Sequence, residues 1–110
     1  MSQRLCTLSD LPNPGCREFQ IVIGQRAVSI FVVRTDQGIF AYLNNCPHTG
    51  VTLNWQPNDF LTVGHDYIQC STHGALFRIE DGYCVWGPCA RQSLTALLVE
   101  VRGDEVAIHI

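Results

Sequence analysis

The chain has 110 residues, of which 46% are hydrophobic and 15% charged, and its formal charge is −3, from ten carboxylates against seven arginines. A chain of this length is expected to form one domain, residues 1–110, around one modest core. The mildly acidic balance offers no basic face for nucleic acid and no polybasic patch for a membrane surface.

Residues 1–15 read as a loosely structured lead-in, with Pro12, Asn13, Pro14 and Gly15 forming a turn cluster. Met1–Leu11 contains Arg4, Ser9 and Asp10 and no apolar block of signal-peptide length. Glu18–Ile23 and Ala27–Arg34 then read as strands around the turn Gly24-Gln25. Ile39–Leu43 follows the turn Thr35-Asp36-Gln37-Gly38 as a third strand. The longest apolar run, near Val28–Val33, is far too short to span a membrane. Asn44–Gly50 is loop. Trp55 and Phe60 are candidate packing residues, and Phe60–Val63 and Tyr67–Gln69 are expected to pair around Gly64-His65-Asp66. A second loop, Cys70–Gly74, precedes Ala75–Ile79 and Tyr83–Trp86, which flank Glu80-Asp81-Gly82. Gly87-Pro88 breaks the run, and Thr95–Arg102 and Glu105–Ile110 close the chain around Gly103-Asp104. β-branched and aromatic residues dominate, and no 3.6-residue apolar period persists. About nine short, evenly spaced strands predict an all-β antiparallel sandwich or barrel.

The chemistry concentrates in the two loops. Cys46-Pro47-His48 and Cys70-Ser71-Thr72-His73 each offer a thiolate and an imidazole within a few residues. Pro47 restricts Cys46 to an extended, non-helical bend. With no secretion signal, the chain reads as cytoplasmic, and in a reducing compartment clustered Cys and His favour metal over disulfide. Soft thiolates with borderline imidazoles suit Zn²⁺ or an iron–sulfur cluster and are poor for Mg²⁺ or Ca²⁺. From ligand type alone, a structural zinc domain that binds a partner stands beside the iron–sulfur reading.

The pattern Cys46-x-His48 with Cys70-x-x-His73-Gly74 resembles the signature of Rieske [2Fe–2S] proteins. Flanking matches lie at Gly38-Ile39-Phe40-Ala41, at His73-Gly74-Ala75-Leu76-Phe77 and at Gly87-Pro88. The resemblance implies one [2Fe–2S] cluster per chain, with Cys46 and Cys70 on one iron and His48 and His73 on the other. It also implies a small cluster-binding subdomain, at about 44–90, formed by the two loops, with Gly87-Pro88 in the loop that covers the cluster. The implied function is that of a soluble ferredoxin, carrying one electron from a flavin-dependent reductase to a terminal oxygenase. On that reading the protein is a component of an oxygenase system and not an enzyme by itself. An accessory or redox-sensing subunit of a larger, nitrite-reductase-like complex is the alternative within the family.

Respiratory members of the family place a disulfide between the loops and put a serine and a tyrosine after the second one. The matching positions here are Val51, Thr72, Ala75 and Phe77. Without those hydroxyl donors the reduced cluster is less stabilised, which predicts a potential at the low end of the Rieske range, roughly −150 to 0 mV. Cys84 reads as a small buried hydrophobe, with a Cys84–Cys89 pair as an alternative. His65 and His109 read as solvated bystanders, and Trp55 and Trp86 as packing residues.

Overall fold

Ile30-Phe31-Val32-Val33 is an unbroken apolar run of β-branched and aromatic residues. Such a run belongs on a strand covered on both faces. The computed structural model, which describes residues 2–45, 53, 60–62, 64, 66–70, 74–87 and 92–109, buries all four residues completely. Its strands are β1 (Ser2–Thr7), β2 (Gly15–Ile23), β3 (Arg26–Thr35), β4 (Gly38–Leu43), β5 (Ile68–Gln69), β6 (Leu76–Phe77), β7 (Cys84–Trp86), β8 (Ala96–Arg102) and β9 (Glu105–His109). All their pairings are antiparallel. The order β1-β9-β8-β4-β3-β2 makes a six-stranded sheet that curls into a nearly closed barrel, and β5-β6-β7 forms a separate small sheet. The all-β expectation holds.

Successive residues of β3 serve different cores, because side chains on a strand point alternately to its two faces. Ile30 and Val32 join Ala41, Val106 and Ile108 inside the barrel. Phe31 and Val33 join Tyr42, Leu53, Phe60, Ile68, Cys70, Ala75, Phe77 and Cys84 on the other face. Phe31 stacks on Phe60 at 4.3 Å between ring centroids and meets Tyr42 at 5.7 Å. The Tyr42 hydroxyl donates to the Ile79 carbonyl. The β3–β4 hairpin is thus the shared wall on which the small sheet is mounted.

Two strand expectations need correction. Ser2–Thr7 is a strand and not a loose lead-in; it pairs with β9, and β2 begins at Gly15. Its period is hidden by a bulge: Arg4 faces Ala107 and Cys6 faces Val106, leaving Leu5 extra. The segment after it is tied down by Arg34, whose guanidinium donates to the carbonyls of Leu8 and Leu11 at 2.9 and 3.2 Å. The second correction concerns Phe60–Val63. The pairing with Tyr67–Gln69 is present, through the Thr62 N–H to the Tyr67 carbonyl at 2.9 Å and the Gln69 N–H to the Phe60 carbonyl at 2.8 Å. It amounts to an isolated bridge at Leu61–Ile68 and not a strand; Val63 lies outside the described residues. Among the described residues no helix is long and apolar enough to cross a membrane.

Candidate metal centre

The second loop is the turn of a hairpin. Ile68 pairs with Phe77 and Gln69 with Leu76. Beyond them the Cys70 N–H donates to the Ala75 carbonyl at 2.9 Å, and the Gly74 N–H returns to the Cys70 carbonyl at 2.8 Å. Cys70 is 0% exposed and packs with Leu53, Ala75, Phe77 and Cys84. A third segment seals this turn. Gly87 sits at φ +111°, and a Cβ on it would stand 2.8 Å from the Ala75 Cα and 2.9 Å from the Ala75 Cβ. Only glycine permits that approach. Gly87 therefore lies against Ala75, the residue that follows the second loop; Pro88 lies outside the described residues.

The first loop leaves the sheet at the end of β4. The Leu43 N–H donates to the Thr95 carbonyl at 2.9 Å and the Asn44 N–H to the Ser29 carbonyl at 3.0 Å. Asn44 is a buried polar side chain, 5% exposed. Its Oδ1 accepts the Leu53 N–H at 2.8 Å, and its Nδ2 donates to Ser29 Oγ at 3.1 Å and Glu18 Oε2 at 3.3 Å. Ser29 Oγ in turn donates to Glu18 Oε2 at 3.0 Å. Leu53, three residues past this loop in the sequence, is buried in the same core as Cys70.

Of the four expected ligands only Cys70 is among the described residues; Cys46, His48 and His73 lie outside them, as do Val51, Thr72, Trp55, His65 and Cys89. What is described fits a cluster. A soft donor, Cys70, is buried in an apolar core that Leu53 shares, and Gly87 rests on Ala75, another member of that core. Ala75 and Phe77 are fully buried and bring no hydroxyl. Tyr42, in the same core as Cys70, stays protonated, because burial, with Asp81 and Glu80 nearby, holds its pKa well above the ordinary value.

The remaining candidates separate from this site. Cys6 belongs to the barrel core, where burial and the charge of Asp10 push its thiol upward, so it remains a protonated packing residue. Cys84 is buried, as expected, and its thiol donates to the Trp86 carbonyl at 3.3 Å. His109 is not a bystander: its Nε2 lies 2.6 Å from Glu100 Oε2 on the barrel. Among the described residues no three His, Cys, Asp or Glu side chains gather as a competing metal site.

Trp86 is a second departure. Phe77 pairs with Cys84, but Leu76 pairs with Trp86, so Val85 is a bulged extra residue. Simple alternation would point Trp86 inward with Cys84; the bulge instead leaves Val85 43% and Trp86 62% exposed. The indole edge lies over Gly74, where an added Cβ would be 3.8 Å from it. A single unpaired residue in a three-residue strand leaves no periodic trace in the sequence.

An antiparallel barrel carrying a small three-stranded sheet, with the buried Cys70 at the hairpin end of that sheet, frames the candidate site. The chain belongs to the family of the Rieske [2Fe-2S] domain, which matches residues 1–105, and a [2Fe–2S] cluster is its cofactor. Solved structures share the fold. A chain in the complex of reduced oxygenase and oxidised ferredoxin in carbazole 1,9a-dioxygenase is 26% identical at a TM-score of 0.76, over 97% of this chain and 91% of that one. The ferredoxin of carbazole 1,9a-dioxygenase from Nocardioides aromaticivorans IC177 is 22% identical at 0.74, over 98% and 96%. The Sphingomonas yanoikuyae B1 ferredoxin is 22% identical at 0.73, over 100% and 99%. No curated protein sequence gives a significant match.

Proposed function

We propose that Cys46, His48, Cys70 and His73 hold the cluster, and that the protein carries single electrons from a flavin-dependent reductase to a terminal oxygenase in the cytoplasm. The observation that carries the ligand assignment is the convergence of the two loop flanks, Leu53 and Cys70, in one buried core beneath Gly87. When bound, the cluster supplies one-electron chemistry at thiolate and imidazole ligands. The chain's own residues do the rest. The core around Cys70 excludes water from one thiolate, while the Cys70–Ala75 and Gly74–Cys70 backbone bonds hold together the two ends of the segment that carries His73 in the sequence.

Two features support the carrier role. Trp86 and Val85 expose apolar surface beside the second loop, which suits a brief, partly apolar docking. The 26% identical relative was solved in a complex of an oxygenase with a ferredoxin.

The test has two parts. Iron and sulfide content and EPR of the reduced protein are compared for wild type, Cys46→Ser, His48→Ala, Cys70→Ser and His73→Ala. Each substitution is expected to abolish or change the signal; a variant with the wild-type spectrum removes that residue from the set. Stopped-flow oxidation of the reduced protein by a Rieske-type oxygenase encoded beside it then tests the route. Reduced protein that passes no electron to that oxygenase refutes the route and leaves the ligand set standing.

A further inference from the structure

Asn44 is a buried polar residue beside a fully apolar core, and its described bonds reach β2, β3 and Leu53. Its Oδ1 accepts from the N–H of Leu53, which is 0% exposed and would otherwise be an orphaned buried donor. Its Nδ2 reaches Ser29 Oγ on β3 and Glu18 Oε2 on β2, and those two are themselves bonded. Its own N–H donates to the Ser29 carbonyl. The side chain therefore joins both ends of the segment 45–52, which carries Cys46 and His48 in the sequence, and fastens the join to the β2–β3 hairpin.

We infer that Asn44 is the clasp of the first ligand loop, a positioning residue that holds Cys46 and His48 to the cluster through the Asn44–Ser29–Glu18 network. The inference rests on the ligand assignment made above. A buried amide is suited to this task because it accepts at one end and donates twice at the other. An apolar residue would take the acceptor from the Leu53 N–H and one partner each from Ser29 and Glu18, which would keep only their other bonds.

The network makes a polarity-reversal test possible. Asn44→Asp keeps an acceptor for Leu53 N–H but loses the donor and sets a second carboxylate about 3.3 Å from that of Glu18. Adding Glu18→Gln restores the bond in the opposite sense: the introduced amide donates to the introduced carboxylate, and the Ser29 hydroxyl turns to donate to that carboxylate. Holoproteins are compared by the half-life of the visible cluster absorbance under a chelator, by the EPR g-values of the reduced cluster, and by melting of the sheet as a control. Asn44→Ala and Asn44→Asp are expected to lose the cluster about tenfold faster, as for one lost hydrogen bond to a charged group, with shifted g-values. The double variant should return to within about twofold of wild type on both readouts. Wild-type lifetime and g-values in Asn44→Ala, or a double variant no better than Asn44→Asp alone, would overturn the clasp. Should Asn44→Ala accumulate no holoprotein, Ser29→Ala carries the test. It removes one acceptor and leaves the Leu53 bond, so about a threefold shorter lifetime is expected and a wild-type one refutes the inference. Cys46→Ser and His48→Ala in the same assay separate the two readings: if they leave the cluster unchanged, the ligand assignment has failed and the clasp falls with it.

Discussion

Replacing Gly87 with alanine puts the contact that seals the second loop under direct strain. The new methyl would stand 2.8 Å from the Ala75 Cα, 2.9 Å from its Cβ and 3.4 Å from its N. Carbon atoms rest at about 3.5–4.0 Å, so one backbone must retreat by about 0.7 Å. Overpacking of that kind costs about 1–3 kcal/mol. A side chain at φ +111° adds about 1–3 kcal/mol of backbone strain. Together these make about 2–6 kcal/mol against a total stability on the order of 5–15 kcal/mol. The melting temperature should fall by at least about 8 °C. Gly103→Ala is the control. Gly103 has φ +62° but nothing within 4 Å of an added Cβ, so it carries the backbone cost alone, about 1–2 kcal/mol. Because the Ala75 carbonyl accepts the Cys70 N–H, cluster absorbance should be lost before far-UV circular dichroism reports melting of the sheet. A Gly87→Ala protein that melts with Gly103→Ala and keeps its cluster to the same temperature would refute the sealing contact.

The other predictions concern the wall, the surface and the potential. Tyr42→Phe removes the bond to the Ile79 carbonyl and should cost about 1–2 kcal/mol in urea titrations, with an unchanged m-value; a cost below about 0.5 kcal/mol would show that this bond does not help mount the small sheet. The Asp81 carboxyl is held below its usual value by Arg78 and by the Tyr83 N–H, and that of Glu100 by Arg102 and His109. The native state thus binds fewer protons than the unfolded chain. This contribution is complete above the ordinary carboxylate range and is lost as pH falls from about 4 through the lowered native values. Stability measured from pH 2 to 7 should show that acid limb, shallower in Asp81→Asn; an unaltered limb would rule out the Arg78 pair as a source. A redox titration should place the midpoint at roughly −150 to 0 mV, because the buried positions 75 and 77 supply no hydroxyl to the cluster. A value above about +150 mV would contradict this.

The residues proposed as ligands stand out in the sequence because metal chemistry needs particular atoms at short spacing, and Cys46-x-His48 with Cys70-x-x-His73 supplies them locally. The all-β class was legible for a similar reason: the hairpin turns and the β-branched runs are short-range signals. Strand β1 and the outward face of Trp86 were not. Each depends on a bulge, at Leu5 and at Val85, and a bulge is a relation between two strands that one strand's sequence does not record.

Asn44 shows the same boundary within the site. The sequence placed it two residues before Cys46, in a loop of turn-forming residues. Its partners Glu18, Ser29 and Leu53 lie 26, 15 and 9 residues away, and nothing in local pattern pairs them. Local chemistry by itself determined which atoms could bind a metal and that strands would carry them. Only the tertiary structure decided that β3 is covered on both faces, that Gly87 comes to rest on Ala75, and that a buried amide closes the first loop. Those outcomes arise when distant segments compete to satisfy buried polar groups and fill one core, and that competition is settled across the whole chain at once.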